Sequence, residues 1–226
     1  MKNVWHKPGP QDGRIRAGLI VFIALLVAVA VRYGYVYFDR ASRLTNEAKE
    51  LMAAGKYDSA LKILDEAVAA DPQEVEAHYH RGICLAERHR FDEALEAFAR
   101  VLELDPAEAN AAFNRAKILH FLERCPEVLS EIEKARPHAH RLVDPNQHSI
   151  KLLEAECRYR AALEKLAEKQ PADDDVRRAV SVFRDYLQGR PGAPDRQAVE
   201  QKIEILTSPE KFPEVLERFR KNKPGQ

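Results

Sequence analysis

"YDSALKILDEAVAADP" occupies Tyr57–Pro72, and "FDEALEAFARVLELDP" occupies Phe91–Pro106, so one phrase recurs 34 residues on. Each copy runs aromatic, Asp, any residue, Ala, Leu, then an apolar helix face, then Asp-Pro. Self-similarity at a fixed period marks an architecture whose units cannot bury their apolar faces alone and complete one another by stacking. The register extends in both directions. Ala60, Ala94 and Val128 fall in line, as do Leu64, Phe98 and Ile132. Upstream, Ala48, Gly82 and Ala116 recur at the same spacing, each followed three residues later by Leu51, Leu85 or Leu119.

The positions have physical reasons. A small residue on the first helix of each unit lets the second helix approach closely, and Ala60 and Ala94 do the same from the second. Leu64 and Phe98 fill the wedge toward the next pair. Proline cannot continue a helix and drives the residue before it out of the α region, so Asp71-Pro72 and Asp105-Pro106 close their units. Pro126, in "RCPEVL", suits the first helical turn, where its missing N–H costs nothing.

These signposts resemble the tetratricopeptide repeat, a helix–turn–helix unit of about 34 residues with small, aromatic and Pro markers. The match assigns repeats to 41–74, 75–108 and 109–136. The third is weaker, its closing proline falling out of phase at Pro137. The resemblance implies an all-α, right-handed superhelix of antiparallel hairpins, its concave wall lined by the first helix of each pair. "PHAHRLVDPNQHS" (137–149) reads as a loop. Residues 150–222 read as degenerate, capping hairpins, in which Ala179, Phe183 and Pro191 keep the spacing of Ala60, Leu64 and Pro72.

Of 226 residues, 45% are hydrophobic, 32% are charged and only 9 are Gly, a composition of helix formers. Net charge is zero. Residues 1–16 form a basic tail, and no basic stripe follows, so nucleic acid is not an expected partner. "AGLIVFIALLVAVAV" (17–31) carries no charge. Extended through Arg32 and "YGYVYF" to Phe38, it gives about 33 Å of helix, enough to cross a bilayer core of about 30 Å. Arg32 could snorkel, and the tyrosines suit an interfacial belt. The small-x-small "AVA" at 28–30 also suits signal cleavage, but it lies inside the apolar run, which favours an uncleaved signal anchor over 17–38. Basic residues are nearly balanced on the two sides. The basic tail tips the expectation toward an internal N-terminus, a single-pass membrane protein and an extracytoplasmic repeat domain, with repeats facing the cytoplasm as the alternative.

No HExxH, P-loop, GxGxxG or GxSxG occurs, so neither an enzyme nor a cofactor is expected. Cys84, Cys125 and Cys157 read as small buried hydrophobes, not as a disulfide or metal set. His138, His140 and His148 with Asp144 are the one candidate metal group, against a plain polar connector. Within 75–88 and 109–123, the face turned from the packing residues carries Tyr79, His80, Ile83, Asn110, Phe113, Asn114 and Lys117. Aromatics beside amides and a lysine suit an extended peptide. Equally, Tyr79 and Phe113 pack between neighbouring hairpins. Some tetratricopeptide proteins grip acidic chaperone tails with a Lys, Asn, Asn, Lys, Arg clamp; the matching places here hold Thr45, Lys49, His80, Asn110 and Asn114, so that clamp is absent. The expected function is a membrane-anchored scaffold or adaptor that binds a partner protein or peptide in its groove. The alternatives are a self-associating, homo-oligomeric structural membrane protein without a client and, less favoured, a metal protein using 137–149.

Overall fold

The computed structural model describes residues 10–142 and 146–221, with side chains described for 19–32, 40–142 and 148–221. Ten α-helices follow in chain order: α1 (Pro10–Ala53), α2 (Tyr57–Ala70), α3 (Val75–Glu87), α4 (Phe91–Leu104), α5 (Ala109–Phe121), α6 (Cys125–Ala135), α7 (Asn146–Ala167), α8 (Asp173–Gly189), α9 (Arg196–Thr207) and α10 (Pro213–Lys221). Two 3-10 turns stand at Arg136–Arg141 and Pro209–Lys211. No strand occurs among the described residues. The chain divides into two compact units, residues 1–80 and 81–226.

Unit one is built on the hairpin of α1 and α2. Ala41, Thr45 and Ala48 bury one stripe of α1, while Ala60, Leu61, Leu64 and Ala67 bury one face of α2. The Thr45 hydroxyl is satisfied on its own helix, donating to the Ala41 carbonyl at 3.0 Å. The Asp-Pro ending works by a turn as well as by proline. Asp71 leaves the helix in extended conformation, its N–H still bonded to the Ala67 carbonyl, while its Oδ1 accepts from the Gln73 N–H at 2.9 Å. Asp105 does the same in unit two, with the Ala107 N–H at 3.0 Å. An aspartate supplies both the cap and the turn.

The turn inside each hairpin repeats more faithfully than its sequence. Gly55, His89, Glu123 and Lys169 all have positive φ, from 56° to 72°. The next residue bonds back six to one: Lys56 N–H to the Leu51 carbonyl, Arg90 to Leu85, Arg124 to Leu119 and Gln170 to Lys165, at 2.8–2.9 Å. This is the Schellman closure, which glycine adopts freely and the other three adopt at a steric cost. Its recurrence at Lys169 marks α7 and α8 as a fourth such hairpin, although Lys169 comes later than a 34-residue period would place it.

In unit two α4 packs on α5, α5 on α6, and α6 on α7. Gly82 of α3 lets Phe98 of α4 lie against the helix backbone: a Cβ there would stand 2.8 Å from two ring carbons. Beyond α6 two cores close the array. Ala155, Phe183, Tyr186, Leu187, Ala193 and Val199 form one; Ala162, Leu163, Ala179, Val180, Ile205 and Leu206 form the other. The Tyr186 hydroxyl donates to both oxygens of Asp195 at 2.9 and 3.0 Å, tying α8 to the start of α9.

Three expectations change. The first concerns residues 17–38, read as a transmembrane signal anchor. Among the described residues no helix is long and apolar enough to cross a membrane. The described apolar side chains run from Leu19 to Val31, about 20 Å of helix against a core of about 30 Å, and Arg32 ends them. The side chains of 33–39 lie outside the described residues. α1 continues without a break for 44 residues into the first repeat hairpin, where hydropathy alone suggests a separate segment. The membrane localisation and the extracytoplasmic placement of the repeats fall with it. Leu19–Val31 remains exposed, its large side chains 50–67% accessible.

Second, Cys125 and Cys157 are not independent core residues but a disulfide, with Cα atoms 5.1 Å apart. Cys84 is free and buried, as its helical setting suggests. Third, the segment 137–149 is not all loop: its start is the 3-10 turn Arg136–Arg141, and its end is the first turn of α7. A four-member ion group, Arg136 and Arg158 with Glu133 and the buried Glu154, pins the 3-10 turn to α7.

Candidate functional site

Within unit one, α3 sets Glu76 and His80 one turn apart, facing Lys49 of α1. Lys49 Nζ lies 2.8 Å from Glu76 Oε1, and His80 Nε2 lies 3.5 Å from the same oxygen. The Lys49 hydrogen bond holds the Glu76 carboxyl below its ordinary range. Burial pushes the His80 pKa down, against the pull of Glu76. The Tyr79 ring meets His80 edge-on at 5.5 Å. His80 Nδ1 is enclosed with no hydrogen-bond partner among the described residues.

A histidine kept neutral by the fold protonates more readily in the unfolded chain. The stability it contributes is present above its ordinary value near 6.5 and is lost as pH falls from there through the lower native value. The thermal midpoint should therefore drop between about pH 7.5 and pH 5.5, and His80→Gln should shrink that drop. An identical drop in the variant would contradict this role.

Within unit two, α5 brings Asn110, Phe113, Asn114 and Lys117 to one side, at the spacing that aligns side chains along a helix. Phe113 is only 3% exposed. The Lys117 ammonium lies over its ring, 5.6 Å from the centroid, so the surface presented there is lysine above phenyl. Asn110 Nδ2 donates to Glu108 Oε1 at 3.1 Å, and Asn114 stands half-buried one turn on. Ile83 is half-buried on α3.

Two clefts flank the turn from α5 to α6. One, of ≈ 620 Å³, is walled by the Cys125–Cys157 pair, Pro126, Leu129, Val215 and Phe219. The other, of ≈ 530 Å³, lies among Phe121, Tyr159, Leu163, Lys202 and Phe219. They share Glu123, Cys125, Arg160 and Phe219. Arg160 pairs with Glu123 at 3.3 Å. Lys202 pairs with Glu156 and stands 5.8 Å from the Tyr159 ring centroid. Burial pushes the Tyr159 phenol up to about 12, so it stays protonated at neutral pH. Phe121 is 67% exposed, the most open large apolar side chain among the described residues of unit two, with its ring 5.0 Å from that of Phe91.

These clefts escape a reading by period alone. One signal was present: Tyr57 and Phe91 start their second helices with an aromatic ring, and Cys125 holds the same place at the same period. The smaller residue leaves room, and its sulfur reaches α7. Which face of α7 meets it depends on the irregular segment between, whose register the repeats do not set. As to metal, His138 is half-buried and His140 exposed, while His148 lies against Gly189. Asp144 lies outside the described residues. Among the described residues no three His, Cys, Asp or Glu side chains are grouped to hold a metal ion.

Residues 45–109 and 85–124 match the tetratricopeptide repeat family. Over residues 45–124 the hairpins carry the tetratricopeptide repeat pattern. No curated protein sequence matches the chain. Among solved structures, MamA (41 to end) from Desulfovibrio magneticus RS-1 is similar at a TM-score of 0.59 and 16% identity, over 81% of this chain and 92% of that one. YrrB, a tetratricopeptide protein with an unusual peptide-binding site, is similar at a TM-score of 0.57 and 18% identity, over 78% of this chain and 80% of that one. At such identities the likeness is one of fold.

Proposed function

We propose that this chain is a protein-interaction scaffold that holds an extended peptide of a partner along the outward side of α5. The observation that carries this is the row of Asn110, Asn114 and Lys117, with the Lys117 ammonium seated over Phe113. Side-chain amides at one-turn spacing can bond the peptide backbone, which is the sequence-tolerant part of such recognition. Lys117 adds a charge whose position is fixed by the ring beneath it. Because Phe113 is covered, it acts as the platform for Lys117, and the peptide meets the lysine. In unit one, Tyr79 and His80 offer a further aromatic and imidazole surface beside Glu76. The peptide-binding site of YrrB, on a similar fold, supports the reading.

The test is a random peptide library displayed on phage and panned against the full chain. The selected peptides are then measured by fluorescence anisotropy against Asn114→Ala and Lys117→Glu. Both side chains are at least partly open, so neither change should unfold the protein. Each is expected to weaken binding roughly tenfold, the loss typical of a central contact. Selection of no peptide, or equal affinity in the variants, would overturn the proposal.

A further inference from the structure

The Cys125–Cys157 bridge joins the first residue of α6 to the middle of α7, residues 32 apart in the chain. It stands in the wall of the larger cleft, and Cys125 borders both clefts. Access to the two sulfur-bearing residues is unequal: Cys125 is 8% exposed and Cys157 fully buried. Cys125 opens α6, an eleven-residue helix whose dipole favours a thiolate at that end. The hairpins after the bridge do not depend on it for a core, since the two clusters of α7 to α10 are complete without either cysteine. A polar tie, Arg160 with Glu123, also joins the α5–α6 turn to α7.

We propose that Cys125–Cys157 is a redox-active disulfide that exchanges with dithiols entering the cleft and so controls the junction of α6 with α7. This does not depend on what the α5 side binds. The thiolate of an incoming dithiol attacks Cys125 Sγ, forming a mixed disulfide and expelling Cys157 as a thiolate. The dithiol's second sulfur attacks the first, closing the reductant to a cyclic disulfide and releasing Cys125. Two electrons pass to the protein pair, and the two S–H protons of the reductant end on Cys125 and Cys157. The reverse sequence, with a cyclic disulfide as oxidant, restores the bridge. In the reduced state the α5–α6 turn and the middle of α7 are no longer covalently joined, and the cleft wall between them loosens.

Cys84 supplies an internal control. It is fully buried, and burial pushes its pKa up to about 11, so it resists alkylation for as long as the fold persists. The full chain is treated with dithiothreitol without denaturant, alkylated with iodoacetamide and mapped by mass spectrometry, with amide hydrogen exchange measured alongside. The expected result is alkylation of Cys125 and Cys157 but not Cys84. Exchange should rise roughly tenfold in the α5–α6 turn and mid-α7 while α8 and α9 keep their protection. Cys125→Ser/Cys157→Ser should reproduce the reduced exchange pattern without reductant. Alkylation of Cys84 together with the pair would show that reduction unfolds the chain, making the bridge a structural brace and overturning the proposal. A bridge that resists dithiothreitol until denaturant is added, reduction with unchanged exchange, or an oxidised chain with three free thiols would overturn it equally.

Discussion

Phe98→Ala is expected to lower the stability of the folded chain by about 4 kcal/mol, within the range for removing a buried aromatic ring. Phe98 is 1% exposed, and its far edge lies against the backbone of α3 where Gly82 has no side chain. Truncation to Ala leaves a ring-sized void between two helices whose separation the ring itself sets, so the helices cannot simply close on it. Leu64 at the same place in the first repeat, and Phe183 in the fourth hairpin, are just as buried. The wedge role therefore recurs, with side chains of different size, and the period marks it at Leu64, Phe98 and Ile132. Urea denaturation followed by circular dichroism measures the loss. A cost below about 1.5 kcal/mol would mean that the ring is not the wedge, because only volume-conserving core changes are that cheap.

Arg115→Met is the second large effect, at about 3 kcal/mol. Arg115 reaches from α5 to two elements: its Nε bonds Glu131 Oε2 at 3.1 Å, and its Nη1 donates to the Leu95 carbonyl at 2.6 Å. The Glu131 carboxylate is almost fully buried, and its other cation, Lys134, is itself largely exposed, 3.2 Å away. Removing the guanidinium takes the principal partner from a buried charge, and such losses cost several kcal/mol because the surviving charge is left under-compensated. Arg115→Met with Glu131→Leu should recover most of the stability, since no charge then remains to be solvated. If the double variant is as unstable as the single one, the cost lies in the Arg115 bond to Leu95 and not in the ion pair.

The repeats were legible because each marked position answers to one local constraint. Ala48, Ala60, Gly82, Ala94 and Ala116 are buried where close approach needs a small residue. Asp71 and Asp105 end their helices with cap and turn together. The hairpin turns were less legible. Only Gly55 has the residue type that positive φ favours, while His89, Glu123 and Lys169 adopt it because the helices on either side demand the closure.

Hydropathy over 17–38 measured how apolar the segment is, not where its helix stops, and the helix runs on into the repeat. The disulfide and the clefts were hidden for a different reason. They join α6 to α7 across an irregular segment, and a pairing of that kind depends on helix rotation, which no period encodes. On α5, spacing alone could align Asn110, Asn114 and Lys117, but it could not say that Phe113 lies beneath the lysine.

The central claim is that the repeated phrase locks the two helices of a hairpin together through a small residue on one and a wedge on the other. Gly82→Ala, measured in the native and Phe98→Leu backgrounds, tests it most directly. Helix propensity alone makes Ala more stable than Gly by about 1 kcal/mol in a helix interior. The Phe98 ring, 2.8 Å from where the new Cβ would stand, should reverse that sign, so the change should destabilise the native background by about 1 kcal/mol. With Phe98→Leu the ring edge is gone, and the same change should stabilise. That reversal of sign is the predicted result. Stabilisation by Gly82→Ala in both backgrounds would contradict the locking of α3 to α4 by this pair.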